Sequence, residues 1–214
     1  MGRVTGSTEI LIVGAGGHGR EVAHVLRARR AAGLDAPRLL GFLDDATVDP
    51  ALLAPFAPHL GGVEDGLARY PGADVVGGVA DGRIRARLVG DRAAPPPLLH
   101  PLADVGADVA LGRGTVICSH VSMTTHITAG VHVHVSRGAA IGHDAVLGDH
   151  VSIMPLASVS GNVRLGARAF VGTGALIRQG VTVGEDAVIG MGAVVLHDVP
   201  PGVTVVGAPA RVLE

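Results

Sequence analysis

Every sixth residue across residues 99–195 is aliphatic. The series runs Leu99, Val105, Leu111, Ile117, Met123, Ala129, Val135, Ile141, Leu147, Ile153, Val159, Leu165, Val171, Ile177, Val183, Ile189 and Val195. The residue four places later is always Ala, Val, Ile or Thr, from Ala103 through Val199. No helix has a strict period of six, and strand alternation privileges no sixth residue. A repeat of six fits one flat side of a triangular prism, with three sides making a coil of eighteen residues. At a strand spacing of ~4.8 Å, nearly six coils make a prism roughly 27 Å tall. Gly often follows the aliphatic residue, as in Gly106, Gly112, Gly130, Gly142, Gly148, Gly166, Gly172, Gly184 and Gly190, where it is expected to relieve crowding at the turn. The register admits no projecting loop, so a large acceptor pocket must come from the N-terminal part or a neighbouring subunit. Residues 206–211 (VGAPAR) leave the period and are expected to cap the last coil.

Composition agrees with a narrow prism. Aromatic residues make up 2% of the chain, so the core must be filled by aliphatic side chains. With 48% hydrophobic and 17% charged residues the chain is globular. The net charge is −2 and the chain contains no Lys, which argues against a general nucleic-acid binder. A lone cysteine, Cys118, excludes an internal disulfide framework. No signal-peptide pattern and no run of membrane-spanning length is read, so a cytoplasmic protein without membrane insertion is expected.

The N-terminal part alternates strands and helices. Glu9–Val13 (EILIV), Arg38–Leu43 (RLLGFL) and residues 74–79 (DVVGGV) read as strands, about four being expected in all. Residues 21–30 and Gly82–Val89 read as helices. This is a βαβ pattern around a small parallel sheet, a half-Rossmann domain over residues 1–95. Residues 93–97 (AAPPP) read as a stiff linker to an all-β domain over residues 96–214. The stretch Gly14-Ala15-Gly16-Gly17-His18-Gly19 matches G-x-G-x-x-G between a strand and a helix, the context for holding a phosphate. Asp44 and Asp45 lie nearer thirty residues on than twenty, and the domain is too short for two mononucleotide halves. A nucleotide-linked sugar suits it better than a nicotinamide dinucleotide.

His143 falls at a corner of the prism, so its ring points outward, and Asp144 can orient or charge-balance it. A ring so placed can take a proton from an attacking amine or hydroxyl, and a transfer that passes through an oxyanion also needs a donor. Histidine suits the first task. The backbone N–H of Gly161, eighteen residues on in the same column, suits the second. Eleven histidines invite a metal reading. Here His132 stacks on His150 and His126 lies under Asp144, while His120, His126 and His132 occupy three different corners. A zinc hydratase of this fold needs two His five residues apart on one turn, and none has that spacing, so no metal is expected. Cys118 lacks a base partner.

Taken together, the hexads, the GAGGHG-Arg20-Glu21-Val22 motif, Gly41-Phe42-Leu43-Asp44-Asp45, Gly142-His143-Asp144 and Ser160-Gly161-Asn162-Val163 resemble one family. It is the sialic-acid O-acetyltransferase and UDP-amino-sugar N-acetyltransferase family, which includes the bacillosamine and perosamine acetyltransferases. The resemblance implies a left-handed parallel β-helix, a homotrimer, and acetyl-CoA lying between adjacent prisms. It implies that His143 with Asp144 is catalytic, and that Ser152, Gly161, Thr173 and Met191 line the cofactor groove. It places Gly14, Gly16, Gly17, His18, Asp44 and Asp45 on the nucleotide sugar, His18 near phosphates or sugar and Asp44 near the base. Many relatives carry a second His where this chain has Ser152, and His150 or His134 could substitute. Arg164, Arg168, Arg178 and Arg211 are candidates to meet the polyanionic coenzyme A. The expected activity is acetyl-CoA-dependent N-acetylation of a nucleotide-activated amino sugar, a UDP-4-amino sugar first. The alternatives are an O-acetyltransferase on a sialic acid, or a non-catalytic sugar-nucleotide-binding trimer.

Overall fold

Ile10, Leu11, Ile12 and Val13 expose no surface, because β1 (Glu9–Val13) is the middle strand of a parallel sheet. The computed structural model describes residues 9–213. Its first sheet has the order β2-β1-β3, with β2 at Arg38–Leu43 and β3 at Asp74–Gly77, so three strands form where about four were expected. Helix α1 (Gly17–Ala31) follows β1, starting four residues earlier than the apolar pattern indicates. Two short helices, α2 (Pro50–Leu53) and α3 (Val63–Arg69), link β2 to β3, and α4 (Gly82–Val89) follows β3. Strand order reverses between β1 and β3, which opens a crevice at the strands' C-terminal ends.

Alternate residues of β1 enter two cores. Ile10 and Ile12 pack with Phe42, Val22 and Leu26, and also with Leu98 and Val116 of the C-terminal part. Leu11 and Val13 pack with Leu43, Leu67 and Val89 on the other face. The two parts therefore share one core. Residues 93–97 are tied to both: Val75 N–H donates to Ala93 O at 2.8 Å and Gly114 N–H to Pro95 O at 2.7 Å.

The C-terminal part is a parallel β-solenoid. Seventeen two-residue strands, from β4 (Leu98–Leu99) to β20 (Val194–Val195), each end on one of the aliphatic residues of the hexad series. Each pairs in parallel with strands eighteen residues away, as His134 does with Val116 and Ser152. The strands form three faces. The first carries Val116, His134, Ser152 and Phe170 outward, the second Ser122, Ala140 and Ser158, the third Thr128, Val146 and Arg164. Inside, Ile117, Val135, Ile153, Val171 and Ile189 stack with Ala139, Ala157, Ala175 and Ala193, all essentially unexposed and without a ring among them. Each fully buried Val or Ile contributes about 1.5–3 kcal/mol.

The turns bear out the crowding expected at these glycines. The glycines after the aliphatic residues sit where the next coil passes closely: a Cβ on Gly142 would lie 2.5 Å from Gly161 N, and one on Gly172 2.6 Å from Met191 N. The left-handed backbone falls two residues later, at every sixth residue from Gly114 to Gly192. Gly, Asn, Asp and His tolerate that conformation best. His120, His126, His132 and His150 hold such positions, with φ from 52° to 58°.

Residues 206–211 do close the prism. Strand β21 (Thr204–Val206) pairs in parallel with Val188–Ile189 and antiparallel with β22 (Arg211–Val212). Among the described residues no helix is long and apolar enough to cross a membrane.

Candidate active site

Three edges run along the solenoid, and each carries a different chemistry. The edge between the second and third faces holds Thr125, His143 and Gly161 in one column, and Asp108, His126, Asp144 and Asn162 in the next. His143 Nδ1 lies 2.7 Å from Asp144 Oδ2, and both side chains are about half exposed. The ring lies across Gly161, where a Cβ would come within 2.6 Å of Cε1 and Nε2. His143 O accepts from Asn162 N–H at 2.8 Å, so the coil above fixes the backbone under the ring. With Nδ1 on the carboxylate, Nε2 lies beside the Gly161 backbone.

The edge between the first and second faces holds Thr173 and Met191, one coil apart and both exposed. Met191 is 80% exposed. Nothing would meet a Cβ on Gly174 or Gly192, so this edge presents a bare strip beside an apolar side chain. That strip suits an extended pantetheine arm. In a single chain it is separated from His143 by the whole second face.

Ser152 does not reach either edge. It sits on the first face, is 0% exposed, and donates to Ala80 O at 2.6 Å beneath the N-terminal part. It offers no surface to a cofactor, which corrects the expectation that it lines the groove. His134 and His150 are covered on the same side of the prism. His134 is buried with its Nδ1 2.7 Å from His18 Nε2, and His150 stacks on His132 with ring centroids 5.2 Å apart. Neither stands near His143. Arg168 is held by Glu185 and Asp186, which leaves it bound within its own edge, whereas Arg164 and Arg178 are exposed.

The glycine turn is built as its spacing requires. Gly14 has φ of 108°, and a Cβ on Gly19 would lie 2.0 Å from Gly14 O. Gly16 caps α1 without a side-chain bond, Gly16 and Gly17 are exposed, and nothing would meet a Cβ on Gly16. The first N–H groups of α1 therefore face an open cradle suited to an anion. Asp44 accepts from Ala15 N–H at 2.7 Å and Ala46 N–H at 2.9 Å, and Asp45 from Val63 N–H at 2.8 Å at the start of α3. Both carboxylates thus brace the cradle walls. His18 turns its ring toward the first face of the solenoid.

A cleft of about 540 Å³ lies between α1 and the edge below Thr173. Gly17, Arg20, Phe56, Ser119 and Arg137 line it, with Arg137 paired to Glu21. The sequence did not single it out, because its walls come from segments a hundred residues apart. Cys118 borders it, but burial pushes the thiol up to about 12, with Glu21 adding to the rise, so it is no nucleophile. No cluster of three or more His, Cys, Asp or Glu able to hold a metal occurs among the described residues.

Fold and site together define a hexapeptide-repeat acyltransferase. Residues 9–91 match the PglD N-terminal domain, and residues 144–179 match the bacterial transferase hexapeptide family with six repeats. The chain is similar to the acetyltransferase domain of PglB from Neisseria gonorrhoeae, solved with acetyl coenzyme A: 33% identity over 97% of this chain and 100% of that one, TM-score 0.83. It is similar to PerB from Caulobacter crescentus, solved with CoA and GDP-perosamine, at 29% identity over 96% and 97%, TM-score 0.78. WeeI from Acinetobacter baumannii matches at 30% over 95% and 99%, TM-score 0.79. No curated protein matches. The chain belongs to the family of hexapeptide-repeat acetyltransferases that includes the PglB acetyltransferase domain, PerB and WeeI.

Proposed function

We propose that this chain N-acetylates a nucleotide-activated amino sugar, a UDP-4-amino sugar first, with acetyl-CoA as co-substrate. The observation that carries the reading is the His143–Asp144 pair, 2.7 Å apart, with the ring laid over Gly161. The amine attacks the thioester carbonyl and forms the C–N bond. His143 Nε2 takes the amine proton, and Asp144 stabilises the imidazolium that results. The Gly161 N–H faces the developing oxyanion, and collapse breaks the C–S bond to release the coenzyme A thiolate. Transfer is direct, since burial raises the Cys118 thiol away from its nucleophilic form.

The separation of the two edges supports a homotrimeric assembly. His143 and the Thr173–Met191 strip lie on different edges of one prism, so a complete site needs the strip of one copy against His143 of the next. A head-to-tail contact of that kind closes into a ring, here a homotrimer. The glycine cradle, with Gly14, Gly16, Gly17, Asp44 and Asp45, takes the nucleotide, and His18 fixes the cradle to the prism. The cleft with Arg20 and Arg137 leads the sugar toward the strip. PerB, solved with CoA and GDP-perosamine, supports a nucleotide amino sugar as the acceptor class. Both substrates fit work in the cytoplasm.

The test is turnover of His143→Ala with acetyl-CoA and a panel of UDP-, GDP- and dTDP-amino sugars. A loss of at least about 100-fold in kcat is expected, with acceptor affinity retained. Near-normal turnover ends the mechanism, and faster acetylation of hydroxyl than amine acceptors ends the choice of amine.

A further inference from the structure

Beneath His143 the same edge carries an alternating ladder of carboxylates and imidazoles, one rung per coil. His126 Nδ1 lies 3.8 Å from Asp144 Oδ1, the oxygen not used by His143. His126 Nε2 lies 3.5 Å from Asp108 Oδ2. Asp108 is fixed in turn by the Thr125 hydroxyl at 2.5 Å and the His126 N–H at 3.1 Å. Thr125 O also receives Asp144 N–H at 3.1 Å, so the two rungs are joined through the backbone. The solenoid produces this stack directly, because Asp108, His126 and Asp144 are eighteen residues apart.

We propose that His126, backed by Asp108, is a positioning residue that acts on His143 through Asp144. The inference rests on His143 being the base of the proposed reaction. An unopposed carboxylate beside an imidazole favours the charged ring and so takes the base out of use near neutral pH. His126 faces the second oxygen of that carboxylate. When charged it pairs with that oxygen across 3.8 Å. That pairing draws charge from Asp144 and lowers its hold on a protonated His143. Asp108 keeps the His126 ring aligned, and the Thr125 hydroxyl and His126 N–H hold its own carboxyl below the usual carboxylate range. The titratable groups on this stretch of edge are Asp108, His126, Asp144 and His143. The coil above presents Gly161 and Asn162, which carry no charge.

The test uses His126→Gly, since Gly114 and Gly138 occupy equivalent left-handed positions and His126 itself has φ of 52°. His126→Asn serves as a second variant that also tolerates that backbone. Unchanged melting temperatures show that both fold. The readout is the titration midpoint of the His143 ring by NMR in the substrate-free protein. It is expected to rise by on the order of 0.3–0.7 pH unit, the range an exposed pair supports. The acidic limb of kcat/KM should rise by the same amount, which is about two- to fivefold less activity below the midpoint, with KM for both substrates unchanged. In an Asp144→Asn background, removing His126 should have no further effect on either quantity. An unmoved midpoint, or the same shift in the Asp144→Asn background, overturns the proposal. The midpoint is read without catalysis, so this failure is separable from active His143→Ala, which overturns the base assignment instead.

Discussion

The space a Cβ would take at Gly161 is filled by the His143 ring, with Cε1 and Nε2 within 2.6 Å. Gly161→Ala must therefore push the ring off its seat while leaving the coil intact. We expect kcat to fall by about 10- to 100-fold, since small displacements of a catalytic group cost that much. The melting temperature should stay within a few degrees of wild type. Steady-state kinetics beside a thermal melt checks both, and unchanged kcat would show that the ring's position over Gly161 does not matter. At this scale the sequence was legible wherever position depends on the column alone. His143, Asp144, Gly161 and the His132–His150 stack all follow from counting eighteens. Ser152 was not legible, because counting places it on a face without revealing that the N-terminal part covers that face. The histidines were half legible. Their corners could be read, but their left-handed backbone could not, and that backbone explains why His120, His126, His132 and His150 need no common ligand.

Among the repeating elements the two kinds of turn glycine differ in what they tolerate. A Cβ on Gly172 would meet backbone of the next coil, Met191 N at 2.6 Å and Ile189 O at 2.7 Å, with no flexible group able to move. Gly174 has φ of 67° and open space around it. Gly172→Ala should destabilise the fold by about 1–3 kcal/mol, as overpacking does. Gly174→Asn should be nearly neutral, since Asn162 already holds an equivalent position. Urea melts of the two variants check the contrast, and equal costs would refute it. The seventeen strands end on the residues read from the sequence because an inward aliphatic residue defines each one. The short helices of the N-terminal part carried no such period. α2 begins with Asp49 accepting from Ala51 N–H and Pro50 at its first position. α3 is anchored at Val63 by the Asp45 carboxylate. A local cap starts α2 and a carboxylate eighteen residues back starts α3, and four or seven residues are too few to show a helical period.

The two parts of the whole molecule are joined by buried polar groups as well as by their common core. Arg85 is 0% exposed and donates to carbonyls on both sides, including Val79 O at 2.8 Å and His132 O at 3.0 Å. Burial and this guanidinium push His18 and His150 down to about 4. Burial, the neighbouring His150 and Arg85 do the same to His132, and His134 is driven well below its ordinary value by burial first. In the unfolded chain these rings titrate near 6.5. As pH falls through 6.5 the unfolded state takes up protons that the folded state refuses, so stability present at neutral pH is lost between about 6.5 and about 4. Melting temperature should fall steeply over that window, with an uptake approaching four protons on unfolding at pH 5, one for each ring. A flat profile from pH 7 to pH 5 would show that the joint does not carry these neutral histidines.

Because Arg85 also grips the carbonyls of His150 and Val151, and Arg83 pairs with Asp186, the N-terminal part is bolted to particular storeys of the tower. An extra coil inserted between His132 and His150 would pull those attachment points about 4.8 Å apart. A coil added beyond Asp186 would heighten the tower while leaving the cradle, the cleft and the reacting edge at their present levels. A lineage of such chains is free to vary in height only at its roof.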